Sequence, residues 1–524
     1  MLTHEDVPRT FNLTSHFVDR NVAEGKGDDV ALIGPNGKCT YAELADLVNR
    51  TGNVLRSLGV RSESRVLLAL SDSVEFVATW YAVLKIGGVT AEVYTYLNAS
   101  DYAHYVDYTR AEVVVVDEVT LEKMREVRST SPHLELLLVV GVPRESLREG
   151  EASFDELIAQ APAELDPAPT TRDDIAIWKF TTGSTGRPKA CVHPMHAPLL
   201  SFEAYARGVL DLRSDDVVLP VPKLFFGYAR DLTALYPFGM GAAGIVFPER
   251  TTPEKIFELI ASHRPTILVN VPTMMRAMLD HPDAVQQDLG CLRLCTSAGE
   301  ALPEGLRARW MDTFGVEILD GIGSSEMYHI YLSNRPGQVR PGSLGTVVPG
   351  YDARIVDERG EDLPAGETGR LWIRGPTAAL MYWNERAASI RTFAGDLVMS
   401  ADLFERDRDG YFYYRGRADD LLKIGGIWVA PAEIESCLSA HPDVVECAVV
   451  GLDREGLTLS CAFVVTRAGA ELTEKDVVDF TREKLSPQKV PREVRFVAQL
   501  PRTGSGKIDR GALRQGPAEI EVAS

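Results

Sequence analysis

A run of hydroxyl, glycine and lysine residues, Thr181-Thr182-Gly183-Ser184-Thr185-Gly186-Arg187-Pro188-Lys189, follows directly on an apolar, strand-like stretch. Its two glycines let the backbone curl until amides point at an anion. Thr182, Ser184 and Thr185 add hydroxyl donors, and Lys189 adds a point charge suited to phosphate. Taken alone, such a composition also suits an ordinary surface turn. It is not a Walker-type loop, because Lys189 stands between Pro188 and Ala190 and no Gly-Lys-Ser/Thr closes it. Other clusters accompany it along the chain. Ser297-Ala298-Gly299-Glu300 and Asp320-Gly321-Ile322-Gly323-Ser324-Ser325-Glu326 each follow a strand-like stretch. Asp402 comes next, then Arg417 with Asp419-Asp420 and Lys423, and finally Thr503-Gly504-Ser505-Gly506-Lys507.

The elements that must hold these groups alternate. Apolar spacing predicts helices over 41–58 and 74–86 and buried strands over 65–70 and 112–117. Further strands are predicted at 175–180 and near 217, 244, 266 and 292. This βαβ rhythm implies an α/β fold with parallel-rich sheets covered on both faces. Between 345 and 383, Gly/Pro turns separate short strands, which predicts a small β-rich subdomain. After Arg417, a helix over 431–440, strands over 444–451 and 462–466 and a helix over 474–485 predict a small C-terminal α/β domain. The division expected is 1–417 for the large N-terminal domain and 418–524 for the C-terminal one.

Composition narrows the function. The 524 residues carry a net charge of -20, which argues against a nucleic-acid binder, since phosphate backbones need basic surface. No stretch has the apolar length to cross a bilayer. Met1 to Asp6 lack a basic segment leading into an apolar run, so no secretion signal is expected. The seven cysteines follow neither disulfide nor metal-ligand spacing, which fits a reducing cytoplasm.

In this order, the clusters resemble the core motifs of the adenylate-forming superfamily of acyl-CoA synthetases, peptide-synthetase adenylation domains and luciferases. The resemblance covers nearly the whole chain. Lys223-Leu-Phe-Phe-Gly-Tyr228, Cys295-Thr-Ser-Ala-Gly-Glu-Ala-Leu-Pro303, Leu319-Asp-Gly-Ile-Gly-Ser-Ser-Glu-Met327 and His329-Ile-Tyr-Leu-Ser-Asn334 are most similar to benzoate-CoA ligases and related aryl-acid ligases.

The resemblance implies ATP, Mg²⁺ and CoA as ligands. Residues 181–189 would hold the ATP phosphates. Ser297, Ala298, Gly299, Glu300, Asp320, Gly321, Ile322 and Gly323 would form the adenine slot, its glycines admitting a flat base, and Ser325 would also bind the nucleotide. Glu326 would bind Mg²⁺, since a hard cation takes carboxylate oxygen. Asp402 would accept the ribose hydroxyls beside Arg417. Lys507 would reach the attacking carboxylate and the α-phosphate. Asp419 would be the hinge of a rotating C-terminal domain, and Gly425 and Gly426 would line a thiol channel. Phe226, Tyr228, His329 and Ile330 would enclose an aromatic ring, with Gly227 leaving room for it and Lys423 meeting its carboxylate or a ring substituent. His193, His196 and the cysteines read as structural. Related ligases are often dimers, so a homodimer is expected.

The chain departs from that pattern in places. Arg230-Asp231 follows Tyr228-Ala229 where benzoate-like ligases carry small or apolar residues. That pair is either exposed or reads a polar, amino-bearing substrate. Thr458 to Cys461 lack the lysines that such ligases place before Ala-Phe-Val, which weakens CoA as acceptor. A second reading therefore keeps the ATP chemistry but adenylates nitrite to diazotise an amino-aryl acid.

Overall fold

Capping and one-sided burial set the first helices. In Tyr41–Ser57 the Thr40 hydroxyl accepts from the Glu43 amide, while the Glu43 carboxylate accepts from the Thr40 amide. Tyr41, Leu44, Val48, Thr51 and Leu55 form its buried stripe. Helix Val74–Lys85 is buried nearly all round, as its continuous apolar run dictates. Apart from Arg65, the strands Arg65–Ala69, Val89–Glu92 and Val113–Val116 are buried on both faces, and they pair in parallel. The computed structural model describes residues 2–182, 188–424, 427–454, 457–467, 469–502 and 508–515.

Among the described residues, two large sheets form the body. An eight-stranded sheet runs from Met381–Tyr382 through Pro188–Pro194, Ile175–Thr182, Val89–Glu92 and Arg65–Ala69 to Glu151–Ser153. A nine-stranded sheet runs from Thr346–Val347 through Ile330–Ser333, Ile318–Gly323, Leu294–Ser297 and Ile267–Asn270 to Gly37–Thr40. One core cluster joins Tyr41, Trp80 and Tyr81 of the helices to Val66 and Leu68 of one sheet and Leu32 and Val218 of the other. This is the α/β architecture expected. No helix among the described residues is long and apolar enough to cross a membrane.

The β-rich part differs from the expected boundaries. The antiparallel sheet consists of Asp352–Val356, Thr368–Arg374, Phe393–Ala394, Leu397–Arg406 and Phe412–Arg417. Thr346–Val347 instead edges the nine-stranded sheet, and Met381–Tyr382 pairs with Cys191 and Val192 of the eight-stranded one. Alternation identifies a strand but not its partner, and two-residue strands carry almost no pattern. Beyond them, Val444–Arg454, Leu457–Thr466 and Glu493–Phe496 form a small sheet packed with Pro431–Ser439 and Glu474–Lys484. The cysteines carry thiols.

Candidate functional site

The hairpin of Ile175–Thr182 and Pro188–Pro194 sets Thr181 opposite Lys189 and Thr182 opposite Pro188. Both ends of the candidate phosphate loop therefore leave the sheet side by side. Gly183, Ser184, Thr185 and Gly186 lie outside the described residues, as does the Thr182 side chain. The Lys189 ammonium stands 5.7 Å from the ring centre of Tyr382. Tyr382 donates its hydroxyl to Glu326 Oε1 at 2.6 Å, and burial followed by the Glu326 charge pushes that phenol far up. Nothing in the sequence marked Tyr382, which sits on a strand too short to predict.

The Ser325–Met327 turn that carries Glu326 is tied to the same hairpin. Ser325 donates its hydroxyl to the Phe180 carbonyl at 3.2 Å, and its own carbonyl accepts from His193 Nε2 at 2.7 Å. Burial pushes the His193 imidazole down to about 3, so it stands neutral with the proton on Nε2. His193 is structural, as expected. His196 also serves structure, its Nδ1 donating to the Arg172 carbonyl at 2.8 Å beside His4 and Asp173.

The candidate nucleotide slot lies at the carboxyl ends of parallel strands, where open α/β sheets bind ligands. Ser297 ends Leu294–Ser297 and pairs with Asp320 of Ile318–Gly323. Ala298 is buried beyond it, and Gly299 takes a φ of +87° with Phe226 across from it. Glu300 faces another way, accepting from the Thr273 amide at 3.0 Å and hydroxyl at 2.7 Å. Burial pushes the Asp320 carboxyl up to about 7. Close strand pairing requires glycine at two of these positions. A Cβ at Gly321 would lie 2.7 Å from the Leu332 oxygen, and one at Gly323 would lie 2.4 Å from the His329 oxygen. Ile322 packs on the core of the β-rich sheet. Asp402 pairs in register with Arg417, whose guanidinium donates to Asp402 Oδ1 at 2.9 Å. The buried Tyr331 phenol feels Asp402, Glu326 and Arg417 together, so these groups share one neighbourhood.

The aromatic residues also converge. Phe226 and Tyr228 rings stand 6.1 Å apart, and Tyr228 stands 5.8 Å from His329. Tyr205 and Tyr236 complete the ring around His329 at 5.5 and 5.0 Å, and neither belonged to a recognisable motif. Burial pushes His329 down to about 3, and its Nε2 lies 3.3 Å from the Tyr228 carbonyl. Ile330 is buried over Gly321.

The side-chain direction at Gly227 is already taken, because a Cβ there would meet the Lys179 ammonium at 2.7 Å. Of the two readings of Arg230-Asp231, exposure fails, Arg230 being 2% and Asp231 0% accessible. Arg230 donates to Glu92 at 2.7 Å and to Asp231 at 2.8 and 3.0 Å, so its charge is answered within the protein. Desolvation pushes the neighbouring Lys179 down to about 8 against the pull of Asp231. A lysine and a glutamate in buried strands gave no local signal of this cluster.

Asp419 belongs to the Ala418–Asp420 turn and Lys423 to the strand Leu422–Ile424, but both side chains lie outside the described residues. Gly425, Gly426 and Lys507 lie outside them entirely. Thr458 to Cys461 run within a paired strand, with Ser460 and Cys461 buried.

Comparison with known proteins gives consistent results. The family described as AMP-binding enzyme matches residues 19–383, and its C-terminal domain matches residues 433–507. The benzoate–CoA ligase of Thauera aromatica is 41% identical, over 97% of this chain and 96% of that protein. Among solved structures, the anthranilate CoA ligase AuaEII in complex with anthranoyl-AMP is 36% identical and superposes with a TM-score of 0.93, covering 98% of each chain. A benzoate CoA ligase from Burkholderia xenovorans LB400 is also 36% identical, with a TM-score of 0.88 over 96% of this chain and 100% of that one.

Proposed function

The chain belongs to the AMP-binding enzyme family, and from that premise we propose that it is an AMP-forming ligase. It activates an aromatic acid of the benzoate class as an acyl-adenylate, releases pyrophosphate, and passes the acyl group to CoA. The observation that carries this is the meeting of Lys189, Tyr382 and Glu326 at one sheet edge, with Asp402–Arg417 and the aromatic cluster beside them. The relatives named above, which act on benzoate and anthranilate, support an aryl substrate.

ATP lies with its phosphates against the hairpin that ends in Lys189. Asp402 takes the ribose hydroxyls, held in place by Arg417. The donor set fits Mg²⁺, because the Glu326 carboxylate is a hard oxygen ligand already oriented by Tyr382. When bound, the ion neutralises charge on the phosphate oxygens. The acid's carboxylate attacks the α-phosphorus, a new O–P bond forms, and the bond to the pyrophosphate oxygen breaks. One anion attacking another is opposed electrostatically, and Lys507 offsets the developing charge. His329 and Tyr228 wall the ring, both uncharged at neutral pH by burial.

In the second half-reaction the CoA thiol attacks the acyl carbon and AMP leaves. We assign this to a rotation of residues 418–524 against 1–417 about Asp419, which replaces Lys507 by the thiol route beside Gly425 and Gly426. Reuse of one site keeps the anhydride from water. The nitrite reading drew on the Arg230-Asp231 pair and on the missing lysines, and both members of that pair are already answered within the protein, by Glu92 and Lys179. The experiment is pyrophosphate release from MgATP with a panel of benzoates and cinnamates, run with CoA alone and with nitrite alone. A CoA-dependent thioester is expected. Turnover that needs nitrite and ignores CoA would make the enzyme a diazotase.

A further inference from the structure

Four charged side chains lie together beneath the aromatic cluster with almost no access to solvent. Lys179 is 6% and Asp231 0% accessible, and Arg230 and Glu92 are 2% each. Asp231 accepts from Lys179 through one oxygen, at 2.6 Å, and from Arg230 through the other. Glu92 accepts from Arg230 at 2.7 Å and from the Trp80 indole at 2.5 Å. The two cations and two anions cancel. A neutral buried set like this adds little stability over apolar residues of the same volume. Its contacts elsewhere are therefore the informative ones.

Glu92 is tied to Trp80 and Thr90, while Lys179 bonds towards the site. Lys179 Nζ donates to the Tyr328 carbonyl at 2.6 Å and lies 3.5 Å from that residue's ring centre. Tyr328 takes φ +69° and ψ -56°, and the His329 amide donates to the Met327 carbonyl at 2.8 Å across it. This is a tight three-residue turn of the strained hand, rare for a non-glycine residue. It persists only where the surroundings hold it. Glu326 lies two residues before Tyr328, and His329 lies one after. Lys179 itself lies two residues before Thr181, where the phosphate hairpin begins. Asp231 and Arg230 belong to the helix Gly227–Ala234, whose first turns carry the aromatic residues.

We propose that Lys179 is a positioning residue for adenylation. Through the Tyr328 carbonyl it fixes the Glu326–His329 turn against both the phosphate hairpin and the helix of the aromatic pocket. One buried ammonium thereby sets the metal-facing carboxylate and the acid pocket in a common frame. The inference rests on the ligase reading above.

The test compares wild type, Lys179→Met and Lys179→Met/Asp231→Asn. The single variant leaves one negative charge in excess. The double variant keeps Arg230 and Glu92 as a neutral pair, and removes the Lys179–Asp231 ion pair together with the tie to Tyr328. Thermal unfolding and a Mg²⁺ titration of aryl-AMP formation are measured on all three. The double variant is expected to unfold within a few degrees of wild type and to keep its ATP KM within about threefold. Its kcat is expected to fall about 10–100-fold, and its Mg²⁺ half-saturation to rise about tenfold, as when a ligand's supporting contact is lost. A double variant with wild-type kcat and Mg²⁺ profile overturns the proposal, because the cluster then serves only packing. A double variant that does not fold overturns it too, since the cluster then carries the fold. Wild type silent with every acid sinks the ligase reading and this inference with it, whereas an active wild type matched by the double variant sinks the inference alone.

Discussion

Replacing Tyr382 by Phe tests the oriented carboxylate with the smallest available change. The ring packs against Phe393 at 4.9 Å between centres, and a phenylalanine keeps that packing. What disappears is the hydroxyl that donates to Glu326 Oε1 at 2.6 Å. A hydrogen bond to a charged group contributes about 1.5–3 kcal/mol. At about 1.4 kcal/mol per factor of ten, full loss in the transition state lowers the rate roughly 10–150-fold. The pair lies in a part-buried position, so water replaces the lost donor only in part. The assay is pyrophosphate release at saturating acid and ATP over a Mg²⁺ titration, with thermal unfolding in parallel. Tyr382→Phe is expected to fall within that range in kcat and to need more Mg²⁺, with little change in unfolding temperature. A variant within twofold of wild type at every Mg²⁺ concentration refutes the assignment of Tyr382 as the residue that orients Glu326.

Other outcomes follow from the same geometry. Lys507→Ala should lose roughly 10²–10³ in adenylation rate while still binding ATP, measurable by single-turnover aryl-AMP formation and nucleotide titration. His193 has its folded value depressed to about 3, below an unfolded value near 6.5, so the unfolded chain takes the extra proton first. Its contribution to stability is present above pH ~6.5 and is lost as pH falls towards its folded value. Urea unfolding should therefore show wild type losing about 1.4 kcal/mol per pH unit relative to His193→Gln below that point, and parallel curves would contradict the burial argument. Gly227→Ala drives a methyl to 2.7 Å from the Lys179 ammonium and should destabilise by about 1–3 kcal/mol in the same assay.

How legible the molecule is in its sequence depends on whether a signal is local. The helix predicted over 41–58 forms as Tyr41–Ser57, because a capping box starts it and a single apolar stripe buries it. The strand predicted over 112–117 forms as Val113–Val116, because four consecutive valines suit a strand covered on both faces. Residues of the presumptive site that stand inside contiguous clusters were equally visible. The rest depends on contacts across the chain. Arg230 and Asp231 look like a solvated pair until Glu92 and Lys179 arrive from 138 and 52 residues away. Tyr382 stands on a two-residue strand whose partner belongs to another sheet than its sequence neighbours suggested. Gly227 looks like room for a substrate, and only the fold places a lysine there.

The central claim is that an aryl acid's carboxylate attacks the α-phosphorus of ATP. The most direct measurement is turnover of a benzoate labelled with oxygen-18 in its carboxylate, with mass analysis of the AMP released. Formation of an acyl-adenylate predicts AMP carrying one oxygen-18 atom for each thioester made. Unlabelled AMP alongside thioester formation would contradict the account, because the carboxylate oxygen would then never have bonded to phosphorus.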